Sequence, residues 1–155
     1  DSIGGIIECS ATNMPQGLGE PFFGGVESVI SQLVFSVPAI KGIEFGSGFT
    51  SARMRGSEHN DLFINVEGKT LTNNSAGING GITNGNDIVF RVAVKPTSSI
   101  AVPQQTINLK TGEVETLNID GRHDACIALR VPVVLESALA IAIADLLMIN
   151  KGRSL

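Results

Sequence analysis

The feature that most constrains this chain is the apolar segment VPVVLESALAIAIADLLMI (131–149). A helix of this length could span a bilayer, so the segment has to be buried either in lipid or in protein. Glu136 and Asp145 argue against lipid, because a carboxylate near the bilayer centre costs about 2.5–3.5 kcal/mol on insertion scales. Pro132 is tolerated best in the first turn of a helix. The sequence therefore predicts a long core helix that begins near Pro132 and no membrane association.

The segments before this helix show strand and hairpin patterns. Ile7, Cys9 and Ala11 alternate with polar residues, and a helical stripe that starts at Val26 ends at Pro38. Because strands and helices do not alternate regularly, the order favours an α+β fold with antiparallel sheet. The remaining predicted elements are strands at 42–46 and 88–96, a polar loop GSGFTSARMRGSEHND (46–61), and hairpins that turn at Glu67-Gly68 and Thr111-Gly112.

Composition narrows the class of protein. A chain of 155 residues fits a single domain over residues 1–155. A net charge of −4 argues against a general nucleic-acid partner. Cys9 and Cys126 lie far apart without metal-ligand spacing, which indicates reduced thiols and a cytoplasmic protein. The opening DSIGG resembles an entry into a strand, so we expect this chain to be part of a longer one.

Two loop segments combine flexible backbone with polar groups. In NNSAGINGGITNG (73–85), glycines allow close approach to a ligand and successive N–H groups can cradle an anion, although such a loop can also be only a turn. In KPTSSI (95–100), Lys95 could bind a phosphate while Thr97, Ser98 and Ser99 offer hydroxyl donors. The alternative for this second segment is a strand-end loop with a solvated lysine.

The third polar segment, GRHDAC (121–126), directly precedes the apolar helix. Arg122 can bind a carboxylate or phosphate through two N–H groups, and Asp124 can accept a proton. His123 can donate, titrate or cap. The structural alternative is an Arg122–Asp124 ion pair and a capped turn. No nucleophile-elbow, HExxH or EF-hand motif occurs in the sequence, and we expect no metal site.

Taken together, these segments resemble chorismate synthase. The matching motifs occur in the family's order and cover nearly the whole chain: DSIGGIIEC (1–9), GLGEPFF (17–23), VPAIKGIEFGSGF (37–49), GSEHND (56–61), NNSAGINGGITNG (73–85), VKPTSSI (94–100), GRHDAC (121–126) and VPVVLESALAIAIADLL (131–147). Each motif alone is weak, but the set is specific.

The resemblance implies an activity and an architecture. The family is a phosphate-lyase of the shikimate pathway, which leads to the aromatic amino acids. It converts 5-enolpyruvylshikimate 3-phosphate into chorismate with reduced FMN and no net redox change. Its fold is a β-α-β sandwich, of which this chain would form the carboxy-terminal half, with antiparallel sheet packed on long core helices. A cytoplasmic homotetramer is expected.

The resemblance also implies roles for individual residues. Asp124 matches an aspartate beside the flavin that manages a proton, and Arg122 matches an arginine at the flavin and substrate anions. The other implied FMN contacts are Pro38, Ala39, Gly80, Lys95, Pro96, Thr97, Ser98 and Ser99.

The family's two catalytic histidines belong to an amino-terminal half that this sequence does not include, so neither His59 nor His123 inherits their role. We therefore expect the chain alone to be inactive and the amino-terminal half to be its partner. Two alternatives stay open at this point. One is a non-catalytic folded fragment that keeps only structural and oligomer contacts, and the other is a flavin-storage or redox protein.

Overall fold

A computed structural model describes residues 1–153 of the chain. Three helices and seven strands make up its secondary structure, together with short 3₁₀ turns at Gly48–Arg53 and Ile127–Arg130. The helices are α1 (Val26–Ser36), α2 (Gly56–His59) and α3 (Pro132–Arg153). The strands are β1 (Gly5–Ala11), β2 (Ile40–Phe45), β3 (Ile78–Asn79), β4 (Ile82–Thr83), β5 (Ile88–Val94), β6 (Gln104–Ile107) and β7 (Val114–Leu117).

The main sheet has the strand order β1-β5-β2. Both outer strands run antiparallel to β5, and Phe90 at the centre lies opposite Cys9 on one side and Phe45 on the other. The predicted α+β fold with antiparallel sheet is therefore confirmed. A register shift between Ile40 and Gly42 marks the start of β2. The predicted hairpin that turns at Thr111-Gly112 is confirmed as the separate pair β6-β7.

Helices α1 and α3 cover one face of the main sheet and enclose the core. Alternate residues of β5 are buried beneath them, in agreement with a strand whose inner face meets a helical layer. Val26, Ile30 and Val34 form the buried stripe of α1, as the helical spacing predicts. The largest fully buried side chains are Phe90, Leu18, Ile30, Ile88, Leu135, Val26, Val34 and Val92.

Helix α3 begins at Pro132 as predicted, and it is buried along one stripe only. Leu135 and Leu139 lie in the core, whereas Ile141 and Met148 are exposed. By length and composition the span Pro132–Gly152 could cross a membrane, a test that core helices also pass. The packing of its buried stripe on α1 and β1 supports the core-helix prediction, with part of its apolar surface left uncovered.

The segment 47–61, which lies within the predicted loop 46–61, is partly helical. It forms the 3₁₀ turn Gly48–Arg53 and then α2, in which the Glu58 carboxylate accepts the Arg55 N–H at 2.8 Å. Short polar helices of this kind depend on local capping rather than on apolar periodicity. Such helices leave no apolar periodicity in the sequence from which they could be predicted.

Candidate functional site

One end of the main sheet brings two of the predicted binding segments together. At this end β5 ends at Val94. The next residue, Lys95, donates its N–H to the Ala39 carbonyl oxygen at 2.9 Å. Ala39 lies in the turn between α1 and β2 with a φ of 72°. That left-handed conformation is uncommon for a residue with a side chain, and it directs the chain sharply into β2. Pro38-Ala39 and the segment from Lys95 are therefore neighbours.

The amino-terminal residues connect these segments to the third one. The Ser2 hydroxyl donates to the Thr97 carbonyl oxygen at 2.6 Å, and the Ile3 N–H donates to the Ala125 carbonyl oxygen at 2.9 Å. We call the group formed by residues 38–39, 95–99 and 122–124 the strand-end site. It contains every predicted site residue except Gly80.

Lys95 and Arg122 give the strand-end site its cationic character. Both side chains are exposed, and neither forms an ion pair with another residue in the range 1–153. By contrast, Arg91 is paired with Glu44 at 2.9 Å on the main sheet. Two cations without carboxylate partners can bind an anionic ligand without first breaking an internal pair.

Thr97 adds an unused hydrogen-bonding group. Its hydroxyl oxygen is buried, and no partner for it is found among the residues that the structure describes. A buried polar atom without a partner costs about 1–3 kcal/mol. A ligand that hydrogen-bonds to this hydroxyl would remove that cost, so the residue is suited to contact one. Pro96 and Ser98 on either side are exposed.

Asp124 is held by a residue that the sequence reasoning missed. Its Oδ2 lies 3.2 Å from Nε of Arg130, and its Oδ1 accepts the Cys126 N–H at 3.3 Å. The alternative of an Arg122–Asp124 pair is therefore wrong, because the carboxylate faces the 3₁₀ turn that precedes α3. The available signal was a second arginine shortly before Pro132. The Arg130 side chain is 81% exposed, so the pair contributes about 1 kcal/mol or less to stability.

His123 connects the two polar segments of the site. Its Nδ1 lies 3.3 Å from the Ser99 hydroxyl, and its Nε2 lies 3.0 Å from the Ile119 carbonyl oxygen. All three residues are partly buried. The 95–99 and 122–124 segments are therefore joined directly by the His123–Ser99 contact as well as indirectly through Ser2 and Ile3.

Gly80 lies at the opposite end of the main sheet. It belongs to the β3–β4 turn, and the next residue, Gly81, accepts the N–H of Val26 at the start of α1 at 2.9 Å. The strand-end site follows the other end of α1. A seven-residue strand such as β5 is about 20 Å long, and this separates Gly80 from the site. The glycine-rich segment is thus not joined to the other predicted contacts within one chain.

The glycine-rich segment is held in shape by Asp61 of the GSEHND motif. The Asp61 carboxylate accepts the backbone N–H of Asn74 at 2.7 Å and that of Ser75 at 2.9 Å, and it also accepts the Thr72 hydroxyl at 2.7 Å. Burial alone would raise the pKa of Asp61, but these hydrogen bonds outweigh it and lower the pKa below its usual value. In this chain the Asp61 carboxylate therefore fixes the backbone at the start of the glycine-rich segment.

His59 of the same motif contacts its own turn and the glycine-rich segment. Its Nε2 lies 3.1 Å from the Ser51 hydroxyl, and its carbonyl oxygen accepts the Asn74 side-chain N–H at 3.1 Å. No group of three or more His, Cys, Asp or Glu side chains able to hold a metal ion occurs in the described part of the chain.

The order and spacing of these segments match one protein family. Residues 1–148 match the family model described as chorismate synthase. The chain belongs to the chorismate synthase family. A chorismate synthase from Chitinophaga pinensis is 61% identical over 151 residues, which are 97% of this chain and 46% of that protein. One from Korarchaeum cryptofilum is 52% identical over 150 residues, which are 96% of this chain and 42% of that protein.

The fold is similar to that of a solved family member. A crystal structure of a chorismate synthase superposes with a TM-score of 0.75 at 34% identity, covering 96% of this chain and 38% of that one. The chain thus spans less than half the length of the chorismate synthases it matches. The strand-end site lies within the matched residues.

Proposed function

We propose that this chain is the carboxy-terminal portion of a chorismate synthase, folded as one domain. The whole enzyme is a cytoplasmic homotetramer that converts 5-enolpyruvylshikimate 3-phosphate into chorismate and phosphate with reduced FMN. The observation that carries the proposal is the strand-end site, where two cations and a buried hydroxyl that have no partners within residues 1–153 meet an oriented carboxylate in a chain of this family. The amino-terminal half of the family chain is the partner that completes the enzyme.

The residues of the strand-end site fit a phosphate-bearing ligand such as FMN. Lys95 and Arg122 can bind its phosphate or the substrate's anionic groups, since neither is paired with a carboxylate among residues 1–153. The buried Thr97 hydroxyl would gain the hydrogen bond that it lacks. When bound, reduced FMN supplies electron density for the elimination of phosphate, while the protein supplies orientation and charge.

Asp124 is the residue of this chain that would hold or accept a proton. Its carboxylate is directed by the Cys126 N–H and the Arg130 side chain rather than left to rotate. A carboxylate fixed in this way can serve a proton transfer at a defined position. The Arg122 guanidinium, two residues earlier, remains available for the ligand.

Gly80 is not part of the strand-end site, because it lies at the opposite end of the main sheet. A second copy of the chain, as in the proposed homotetramer, is the simplest way for Gly80 to contact the same cofactor. The glycine has a φ of 58° and open space around the position of a side chain, so the backbone there can be approached closely.

The first test is a fluorescence titration of FMN with 5-enolpyruvylshikimate 3-phosphate present. It is run with this chain alone and with a separately produced amino-terminal half. Binding and chorismate formation only in the mixture would support the proposal. Tight binding by the chain alone would indicate a self-sufficient flavin module. If neither sample binds FMN, the chain is a non-catalytic folded fragment.

A charge-removing variant tests the site itself. Lys95→Gln should weaken FMN binding in the mixture about 10-fold or more, because a hydrogen bond to a charged group contributes about 1.5–3 kcal/mol. Lys110→Gln is the matched control, since Lys110 is an exposed lysine in the turn between β6 and β7. Equal affinity in the two variants would contradict the assignment of Lys95.

A further inference from the structure

The two ring nitrogens of His123 have partners of different chemistry. Nε2 lies 3.0 Å from the carbonyl oxygen of Ile119, which can only accept a hydrogen bond. Nδ1 lies 3.3 Å from the hydroxyl of Ser99, which can either donate or accept. The carbonyl therefore determines which nitrogen of the neutral ring carries the hydrogen. It is Nε2, and this leaves Nδ1 as an acceptor.

This tautomer has a consequence for Ser99. If Nδ1 carries no hydrogen, the contact between His123 and Ser99 requires the serine hydroxyl to be the donor. The hydroxyl hydrogen of Ser99 then points towards Nδ1 of His123. Only the lone pairs of the Ser99 oxygen are left to form a hydrogen bond with a ligand. In this state Ser99 cannot donate to a phosphate oxygen, whereas it can accept from a hydroxyl or N–H group.

We propose that His123 is a positioning residue that makes Ser99 a hydrogen-bond acceptor in the strand-end site. This inference rests on the proposed function, which makes Ser99 a ligand contact. It divides the site into two parts. Lys95 and Arg122 receive the anionic groups of the ligand, and Ser99 receives a neutral donor such as a ribityl hydroxyl or the imide N–H of a flavin.

The tautomer can be measured without any ligand. The chain has two histidines, so two-bond ¹H–¹⁵N correlation spectra of ¹⁵N-histidine-labelled protein contain two ring systems. A His59→Gln sample assigns the signals. At about pH 8, the spectra should show a hydrogen on Nε2 of His123 and none on Nδ1. Ser99→Ala should shift the Nδ1 resonance of His123 and leave the tautomer unchanged. A protonated Nδ1, or no shift in Ser99→Ala, would overturn the proposal.

Two substitutions at His123 separate its two hydrogen bonds. In His123→Asn the side-chain oxygen can replace Nδ1 as the acceptor for Ser99, whereas in His123→Gln the side-chain N–H can replace Nε2 as the donor to Ile119. FMN affinity is measured by titration of each variant in the mixture with the amino-terminal half. We expect His123→Asn to bind FMN nearly as tightly as the unchanged chain. Ser99→Ala should bind about 3- to 10-fold more weakly, as for one lost hydrogen bond, and His123→Gln should bind more weakly than His123→Asn by up to the same factor.

Equal affinities for His123→Asn and His123→Gln would overturn the positioning role, because a merely structural histidine does not distinguish its two nitrogens in this way. The matched control is the His59–Ser51 pair, which has the same side chains in contact at 3.1 Å but lies away from the strand-end site. Ser51→Ala should leave FMN affinity unchanged. If the unchanged mixture binds no FMN, the proposed function fails, and the NMR result still decides whether His123 controls Ser99.

Discussion

The packing of α3 predicts that alanine substitutions at two positions of this helix have very different effects on stability, although each removes the same number of atoms. Leu135 is fully buried, whereas Ile141 is 59% exposed on the same helix. Replacing either residue with alanine deletes three carbon atoms. At Leu135 the lost transfer free energy is about 2.4 kcal/mol, and a residual cavity raises the total cost to about 3–4 kcal/mol. Ile141→Ala should cost about 0.5 kcal/mol or less, because alanine has the higher helix propensity.

The assay is urea unfolding of the two variants and the unchanged chain, followed by far-UV circular dichroism. Leu135→Ala should lower the transition midpoint strongly while leaving the slope unchanged, since the surface exposed on unfolding is nearly the same. Ile141→Ala should unfold close to the unchanged chain. Similar losses in the two variants would refute the one-sided packing of α3. A larger loss for Ile141→Ala would mean that the helix is rotated relative to the sheet.

Two further predictions concern the carboxylates. Asp61→Asn should lower the free energy of unfolding at pH 7 by about 1–2 kcal/mol, because a neutral amide replaces a carboxylate that accepts three hydrogen bonds. Since the folded pKa of Asp61 is lowered, its contribution is present above the ordinary value of 3.8 and is lost as the pH falls through the folded pKa. Urea titrations from pH 7 downwards should therefore show that the difference in free energy of unfolding between the unchanged chain and Asp61→Asn shrinks in acid. A difference that does not change with pH would contradict this. Arg130→Gln should change stability by less than about 1 kcal/mol but reduce chorismate formation in the mixture, with the exposed Arg53→Gln as the control.

Much of the fold could be predicted because its elements are long and periodic. The stripe of α1, the alternation of β1 and the start of α3 at Pro132 each follow from a local rule about where apolar side chains and proline can lie. The short helices of the 47–61 segment depend instead on capping contacts such as the one from Glu58, which leave no periodic pattern.

The residues of the strand-end site could be predicted from the sequence, but the contacts between their side chains could not. Sequence motifs identified Asp124, yet the choice between Arg122 and Arg130 as its partner depends on the direction of the turn before α3. The same limit applies to Gly80. It belongs to the same set of motifs as Lys95, but their separation along the sheet follows from the antiparallel register and the direction of α1.

The strand-end site is held by backbone hydrogen bonds and by the side chains of Ser2, Ser99 and His123, and not by the cationic side chains that are proposed to bind the ligand. Backbone groups join its segments: the Ala39 carbonyl to the Lys95 N–H, and the Ile3 N–H to the Ala125 carbonyl. The side chains of Lys95 and Arg122 take no part in these bonds and are exposed. Their replacement therefore removes charge from the site without removing a hydrogen bond that holds its segments together. Loss of FMN binding in such a variant can be attributed to the ligand contact itself, because the scaffold that positions it is unchanged.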